Sequence, residues 1–388
     1  MRSRLTVALG RTARLAARVR GGGSGGTAFP GLVMERTDPG FLERTLGRLP
    51  RGVIVVSGTN GKTTTTKMVV QLLREQGLKV FTNRTGSNFV RGVLASLLTE
   101  VDAAGNLDAD IAVLELDEAH AVHFVARVRP RACLLLNVMR DQLDRFGEID
   151  YTASLLHSIA QATSDVVVLN GDDPRLAAPA FLEGVSARVV SFGAGEDLRS
   201  LFLSDDDLRT GLVSPRQAGQ APGPRVTLEA IDGQRATVRV DGVSHEVSFA
   251  IPGVHNLLNA CAALGVVLEV LGEDADLPGL LTTLGTVQAA FGRGEVLTLD
   301  GRPVQLSLVK NPAGFRMGLL SAASQAQDGE VRGGQDQGAG RRRRGRPGRG
   351  DGAGRRRRGG RRRGAQGWGG GLWAQGNVLH GHEKDASG

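Results

Sequence analysis

The sequence predicts a doubly wound α/β fold built on a mostly parallel sheet, and three observations carry that expectation. Short, unbroken runs of Val, Ile and Leu recur along the first half of the chain, which suits parallel strands covered on both faces. Those runs alternate with segments of helical periodicity, the pattern of βαβ units. A glycine-rich turn, Gly58-Thr59-Asn60-Gly61-Lys62-Thr63-Thr64, falls between the first such strand and the helix after it, where a phosphate-binding loop belongs.

Residues 1–50 read as an amino-terminal helical and linker segment. Met1–Arg20 carries six Arg interleaved with Leu, Val and Ala but lacks the continuous apolar stretch of a signal peptide. It reads as an amphipathic helix docked on its own protein, with an anionic membrane surface as the second reading. The link Gly21–Gly26 and a helix near Pro39–Leu49 follow.

Residues 51–300 hold the regular alternation. Val53–Ser57 is expected as a strand and Gly61–Gln76 as a helix. Leu78–Thr82 then pairs with helix Phe89–Leu98, Asp110–Leu116 with helix Glu118–Val128, and Ala132–Asn137 with helix Tyr151–Ala162. Asp165–Asn170 is the fifth strand. Ligands of such sheets bind at the carboxyl ends of the strands. Residues 193–250 read as an irregular segment with a small β insertion. Within it, Arg225–Glu229, Ala236–Val240 and His245–Ala250 alternate like half-exposed strands, joined by turns at Asp232-Gly233 and Asp241-Gly242. Helices are expected at Val254–Leu271 and Leu277–Leu284, and a last strand at Pro303–Leu308. Residues 301–320 read as the beginning of a further domain. Residues 321–388 lose all periodicity and are given no structure.

The formal charge of +8 suggests a nucleic-acid binder until it is located. Val331–Gly364 holds 14 Arg and 2 Asp, so the rest of the chain sums to −4. Nothing in the folded part points to nucleic acid. Cys133 and Cys261 lie in apolar surroundings and read as buried free thiols, as in a reducing cytoplasm. No apolar run approaches the roughly 20 residues that cross a bilayer.

The loop residues carry the first chemistry. Backbone N–H groups of a glycine turn and a helix amino terminus attract phosphate oxygens. Lys62 reaches the β- and γ-phosphates, and the Thr63 hydroxyl is a ligand for Mg²⁺. The strict eight-residue pattern fails at Val56; the shorter Gly-x-x-Gly-Lys-Thr form is present. Glu115 ends a strand at the same sheet edge and suits Mg²⁺, a hard ion preferring oxygen. Asp117 and Glu118 either assist it or cap the next helix. Asn83, Arg84, Ser87 and Asn88 follow the second strand and either hold anionic groups of a substrate or order the site. Asn137 and Asp141 follow the fourth strand, in reach of a catalytic pocket, whereas Asp144 and Arg145 fit an ion pair at a helix start. Asn256 and Asn259 share a helical face, suited to reading an adenine edge; His255 reads equally as a helix-start residue.

The loop resembles that of the Mur ligase and folylpolyglutamate synthetase superfamily. Thr82-Asn83-Arg84-Thr85-Gly86-Ser87-Asn88, Glu115-Leu116-Asp117-Glu118, Asp141-Gln142-Leu143-Asp144-Arg145 and Lys310-Asn311-Pro312-Ala313-Gly314-Phe315 narrow the resemblance to the MurT family. It spans about Ala13 to Phe315 and implies a sheet of Mur ligase central-domain type. It also implies ATP and Mg²⁺, and amidation of the D-glutamate of lipid II with ammonia from a GatD-like glutaminase subunit. Membrane contact would then come only through the substrate. Another Mur-type ligase, or a catalytically incomplete ATP-binding subunit, is the alternative. Asn170-Gly171-Asp172-Asp173-Pro174 resembles the family's strand-end motif near the nucleotide, and Phe291-Gly292-Arg293-Gly294-Glu295 its turn bringing an Arg to the phosphates.

Two departures stand out. The family commonly carries a four-cysteine zinc ribbon before the Pro252-Gly253-Val254-His255-Asn256 helix, yet Gly193–Pro224 contains no cysteine, so no zinc is expected. After Phe315 the family has a folded domain that supplies an aspartate and contacts the glutaminase. Here the sequence turns to Arg341–Arg344, Arg355–Arg358 and Arg361–Arg363 in glycine. The abruptness of the change reads as out-of-frame translation of a GC-rich region, with an RNA-binding segment or a solvated tail as alternatives.

Overall fold

The computed structural model describes residues 2–20, 28–83, 87–140, 148–211, 221–288, 293–299, 302–307, 311 and 313–320. Its centre is a nine-stranded sheet made of β1 (Val53–Ser57), β2 (Val80–Thr82), β3 (Ile111–Glu115), β4 (Ala132–Leu135), β5 (Val166–Asn170), β6 (Arg188–Ala194), β7 (Pro224–Asp232), β8 (Arg235–Val240) and β9 (Val243–Ser248). Their order is β2-β3-β1-β4-β5-β6-β7-β8-β9. The first seven in that order are parallel; β8 pairs antiparallel with β7, and β9 antiparallel with β8. The half-exposed strands therefore form, but as a continuation of the central sheet. β6 was not foreseen, because its buried half, Ser191–Ala194, has little β-branched character.

Alternate β1 residues serve opposite faces. Ile54 and Val56 join one core with α4 (Lys62–Glu75), α10 (Val254–Leu271) and α11 (Leu277–Thr286). Val53 and Val55 join the other with α1 (Arg2–Arg20), α2 (Ala28–Thr37), α3 (Phe41–Leu46), α5 (Val90–Glu100), α6 (Glu118–Val125), α7 (Glu148–Ala162) and α8 (Pro179–Leu182). Burial on both faces is what the unbroken apolar runs required. α10 is long and apolar enough to cross a bilayer, alone in this among the described residues, but 83% of that stretch is buried in the fold. It is a core helix. Cys133 and Cys261 are buried free thiols, each pushed up to about 12 by desolvation.

The amino-terminal helix docks on its own protein. Thr6 and Val7 are buried, and at Gly10 an added Cβ would lie 3.0 Å from Leu98 and Met34. Arg11 Nη2 donates to Val101 O at 2.9 Å. α2 was missed in the sequence because it contains Pro30 and Gly31. The proline sits in the first turn, where its missing N–H costs nothing. A Cβ at Gly31 would stand 1.9 Å from Arg91 O, so the glycine that weakens the helix signal is what allows α2 to approach α5.

After β6, a 3-10 turn (Glu196–Leu201) leads to α9 (Asp205–Thr210). Ser204 and Asp207 close a capping box on α9. Its acidic first turn is pinned by Arg140 to Asp205 at 3.5 Å and by Arg175 to Asp206 at 2.5 Å. Beyond α11, β10 (Arg293–Leu299) and β11 (Arg302–Ser307) form a separate antiparallel pair. Residues 313–320 are helical. Residues 321–388, expected to lack regular structure, lie outside the described residues.

Candidate active site at the carboxyl edge of the sheet

The strand order reverses at β1, whose neighbours are β3 and β4. The crevice at such a switch point opens at the carboxyl ends of the strands, and the glycine loop leaves β1 there. Gly58 has φ +129° and Gly61 φ +90°, values that side chains disfavour. A Cβ on Gly58 would meet Asn137 N at 3.0 Å, and one on Gly61 would meet Asn259 Oδ1 at 2.8 Å. α4 then begins at Lys62 with no side-chain cap. Its first N–H groups are thereby left to an anion, which the helix dipole also favours.

Lys62 and Thr63 are both buried. Lys62 Nζ donates to Gly58 O at 2.6 Å and pairs with Asp117 Oδ1 at 3.2 Å and Glu118 Oε1 at 3.7 Å. Asp117 occupies the N-cap position of α6 without a side-chain cap, and both acids face the lysine. Thr63 Oγ1 donates to Glu115 Oε1 at 2.8 Å. Two hard oxygen donors from neighbouring elements thus meet beside the loop. They fit Mg²⁺.

Asn83 is buried and its carboxamide is fully engaged. Its Oδ1 accepts from Glu115 N at 2.9 Å, while Nδ2 donates to Glu115 O at 2.8 Å and to Ser87 O at 3.0 Å. It orders Glu115, one of the two roles expected for it. Ser87 is buried beside it and Asn88 is half-buried, its carbonyl accepting from Asp117 N at 3.2 Å.

Asn137 is tied to the loop in a similar way. Its Oδ1 accepts from Asn60 N at 2.8 Å and its Nδ2 donates to Asn60 O at 3.1 Å. The carboxamide copies a strand partner for the loop and fixes the Asn60 backbone. Thr59 binds Met139 in both directions, accepting from its N at 3.0 Å and donating to its O at 3.1 Å. Asp173 then fixes this segment: its carboxylate accepts from Val138 N at 2.7 Å, Arg175 N at 3.0 Å and Leu176 N at 3.2 Å. Burial nonetheless pushes its pKa up to about 6.

Asn311 was quoted only as a family marker, yet it belongs to this site. It is buried, and its Nδ2 donates to Asn60 Oδ1 at 3.2 Å while Asn60 Nδ2 lies 3.4 Å from its Oδ1. The same Oδ1 accepts from Gly314 N at 2.9 Å. Arg316 anchors the following helix through Leu201 O at 2.8 Å and Ser200 O at 3.0 Å. No sequence spacing could have paired residues 251 positions apart.

Asn259 stands against Gly61, at the phosphate end of the crevice. Asn256 is buried, donating to Pro252 O at 2.6 Å and accepting from Asn259 Nδ2 at 3.4 Å. Arg293 opens β10, and its side chain lies outside the described residues, as do Arg84, Asp141, Asp144 and Arg145.

His255, in the first turn of α10, has an enclosed Nδ1 with no hydrogen-bond partner. Desolvation pushes its pKa down from 6.5 to about 4, so the unfolded chain takes up this proton first as pH falls. Its contribution to stability is complete above about 6.5 and is lost between there and about 4. His255→Gln is therefore expected to lose about 3 kcal/mol less stability than the parent across that window. Denaturant unfolding at the two ends of the window measures it. Asp173, whose raised pKa works in the opposite sense, is common to both proteins and cancels.

A glycine loop at the switch point of a parallel sheet, with a Thr–Glu oxygen pair beside its lysine, has the form of a phosphate-loop nucleotide site, and its relatives make it that of an ATP-dependent ligase of the Mur type. The family model of the Mur ligase middle domain matches residues 56–267. A lipid II isoglutaminyl synthase subunit MurT from Streptococcus pneumoniae is 30% identical over 74% of this chain and 67% of its own length. The MurT subunit from Staphylococcus aureus strain COL is 32% identical over 82% and 74%. The chain belongs to the Mur ligase family, and within it to the MurT group. Among solved structures, MurF from Acinetobacter baumannii superposes with a TM-score of 0.58 at 21% identity, covering 76% of this chain and 58% of that one. MurF from Thermotoga maritima in complex with ADP gives 0.55 at 20%, covering 77% and 61%. This chain thus spans less than two thirds of either MurF, and the likeness speaks for the fold.

Proposed function

We propose that this chain is the ATP-using subunit of an enzyme that amidates the stem-peptide D-glutamate of lipid II in peptidoglycan synthesis. Ammonia comes from a GatD-like glutaminase partner, on the cytoplasmic side of the membrane. The observation that supports this reading most directly is the Thr63–Glu115 pair beside Lys62, in a chain that matches MurT subunits along most of their length.

A carboxylate is a poor acylating agent and needs activation. Transfer of the γ-phosphoryl group to its oxygen releases ADP and leaves an acyl phosphate. Ammonia then adds at the acyl carbon, phosphate departs, and the nitrogen sheds a proton. Loop N–H groups bind the phosphates, Lys62 neutralises charge on the group in transit, and Thr63 with Glu115 would hold Mg²⁺. When bound there, Mg²⁺ would supply Lewis-acid stabilisation of that same charge. Asn83, Asn137 and Asn311 keep Glu115 and Asn60 in place. Gly58, Thr59, Asn60, Gly61, Thr64, Asn256, Asn259 and Arg293 are assigned to the nucleotide. Arg84, Ser87 and Asn88 are assigned to the substrate, and Asp141 to the reacting centre.

The test combines the chain with a glutaminase partner, lipid II, glutamine, ATP and Mg²⁺, and follows ADP and the amidated product by mass spectrometry. Amide formed in step with ADP is the expected result. ATP turnover without amide, even with free ammonia, would mark an incomplete subunit. Incorporation of an amino acid would point to a different Mur-type ligation.

A further inference from the structure

We propose that the outer face of α1 binds the surface of an anionic lipid bilayer. One side of this helix is committed to the core through Thr6, Val7 and Gly10. At about 100° per residue, the opposite side carries Leu5, Leu9, Leu15 and Val19 within roughly 120° of arc. They are exposed by 61%, 39%, 64% and 84%, with Ala8, Thr12 and Ala16 exposed between them. A helix that only covers a core needs one apolar side. This one has two.

Charge selects the occupant. Residues 1–20 contain six Arg and neither Asp nor Glu, and exposed Arg4 stands at the border of the apolar row. A second copy seated on this face would bring two arginine-rich, acid-free helices together, an arrangement that like-charge repulsion opposes. An anionic bilayer complements both features: leucines enter the acyl boundary while guanidinium groups remain at headgroup level. The family resemblance led to membrane contact through the substrate alone, and α1 adds a direct one. The surface is independent of which reaction the site performs, although it would hold the enzyme where a lipid-borne substrate lies.

Flotation of the full chain with substrate-free vesicles tests this. Binding is expected to phosphatidylcholine vesicles containing phosphatidylglycerol and to be weak with phosphatidylcholine alone. The double variant Leu15→Asp/Val19→Asp changes only exposed positions, so its thermal unfolding should match the parent. Its binding to anionic vesicles is expected to fall at least about tenfold. Because the Arg-rich residues 341–363 also attract anionic lipid, a second readout isolates α1. Val19→Cys, carrying an environment-sensitive fluorophore, should shift to the blue on adding anionic vesicles; Cys133 and Cys261 are buried and stay unlabelled. An unmoved spectrum overturns the proposal, whether or not flotation of the double variant matches the parent. So does a dimer that the double variant dissociates without any vesicle binding. Failure of amidation would leave these outcomes untouched, which separates this inference from the reaction assigned above.

Discussion

Lys62→Ala is expected to lower ATP turnover by roughly 100- to 1,000-fold, the scale for removing one preorganised charge partner from a developing transition state. Lys62 is the first residue of α4, and its ammonium is held at the lip of the loop by Gly58 O, Asp117 and Glu118. Substitution removes the cation and leaves two acids facing the phosphate path, so the loss exceeds that of a single hydrogen bond. Folding should change little. Asp117 is 40% exposed and can return to water, and the Gly58–Gly61 backbone is held by Asn137 independently of the lysine. Steady-state ADP formation and calorimetric ATP binding provide the measurement. A variant with unchanged turnover and affinity would refute the assignment of this loop to phosphate.

Glu115→Gln is expected to act through the metal. The amide oxygen can still accept from Thr63 Oγ1, and the backbone of residue 115 remains tied to Asn83. What disappears is the negative charge, which a hard divalent ion requires. At fixed Mg²⁺ the turnover should drop by about 100-fold or more, and the Mg²⁺ concentration needed for half-activation should rise at least about tenfold. Raising Mg²⁺ should therefore recover part of the activity. A purely structural residue would give a loss indifferent to Mg²⁺, with a lowered unfolding temperature. That pattern would remove Glu115 from the metal site.

Much of the fold was legible. Val53–Ser57, Ile111–Glu115, Ala132–Leu135 and Val166–Asn170 are buried along their entire length, and a strand buried on both faces has to be written in continuous apolar residues. The elements that escaped notice lack such runs. β10 begins Arg293-Gly294-Glu295, and α2 carries a proline and a glycine that tertiary packing tolerates. At the site, Lys62, Thr63 and Glu115 were readable because their chemistry is local: each sits at the end or start of a regular element.

The asparagines were a different matter. Asn83, Asn137 and Asn311 share one side chain that donates and accepts equally well, so residue type leaves open whether a ligand or a backbone is the partner. Only the fold brings Asn137 to a residue 77 positions away and Asn60 to one 251 positions away. By itself, the sequence determined a glycine loop between the first strand of a parallel sheet and its helix, because loop geometry and strand burial are local demands on residue type. The tertiary structure decided which polar groups remain free for chemistry and which are spent on holding the loop. That division depends on distances between segments remote in the chain, which composition and spacing do not encode.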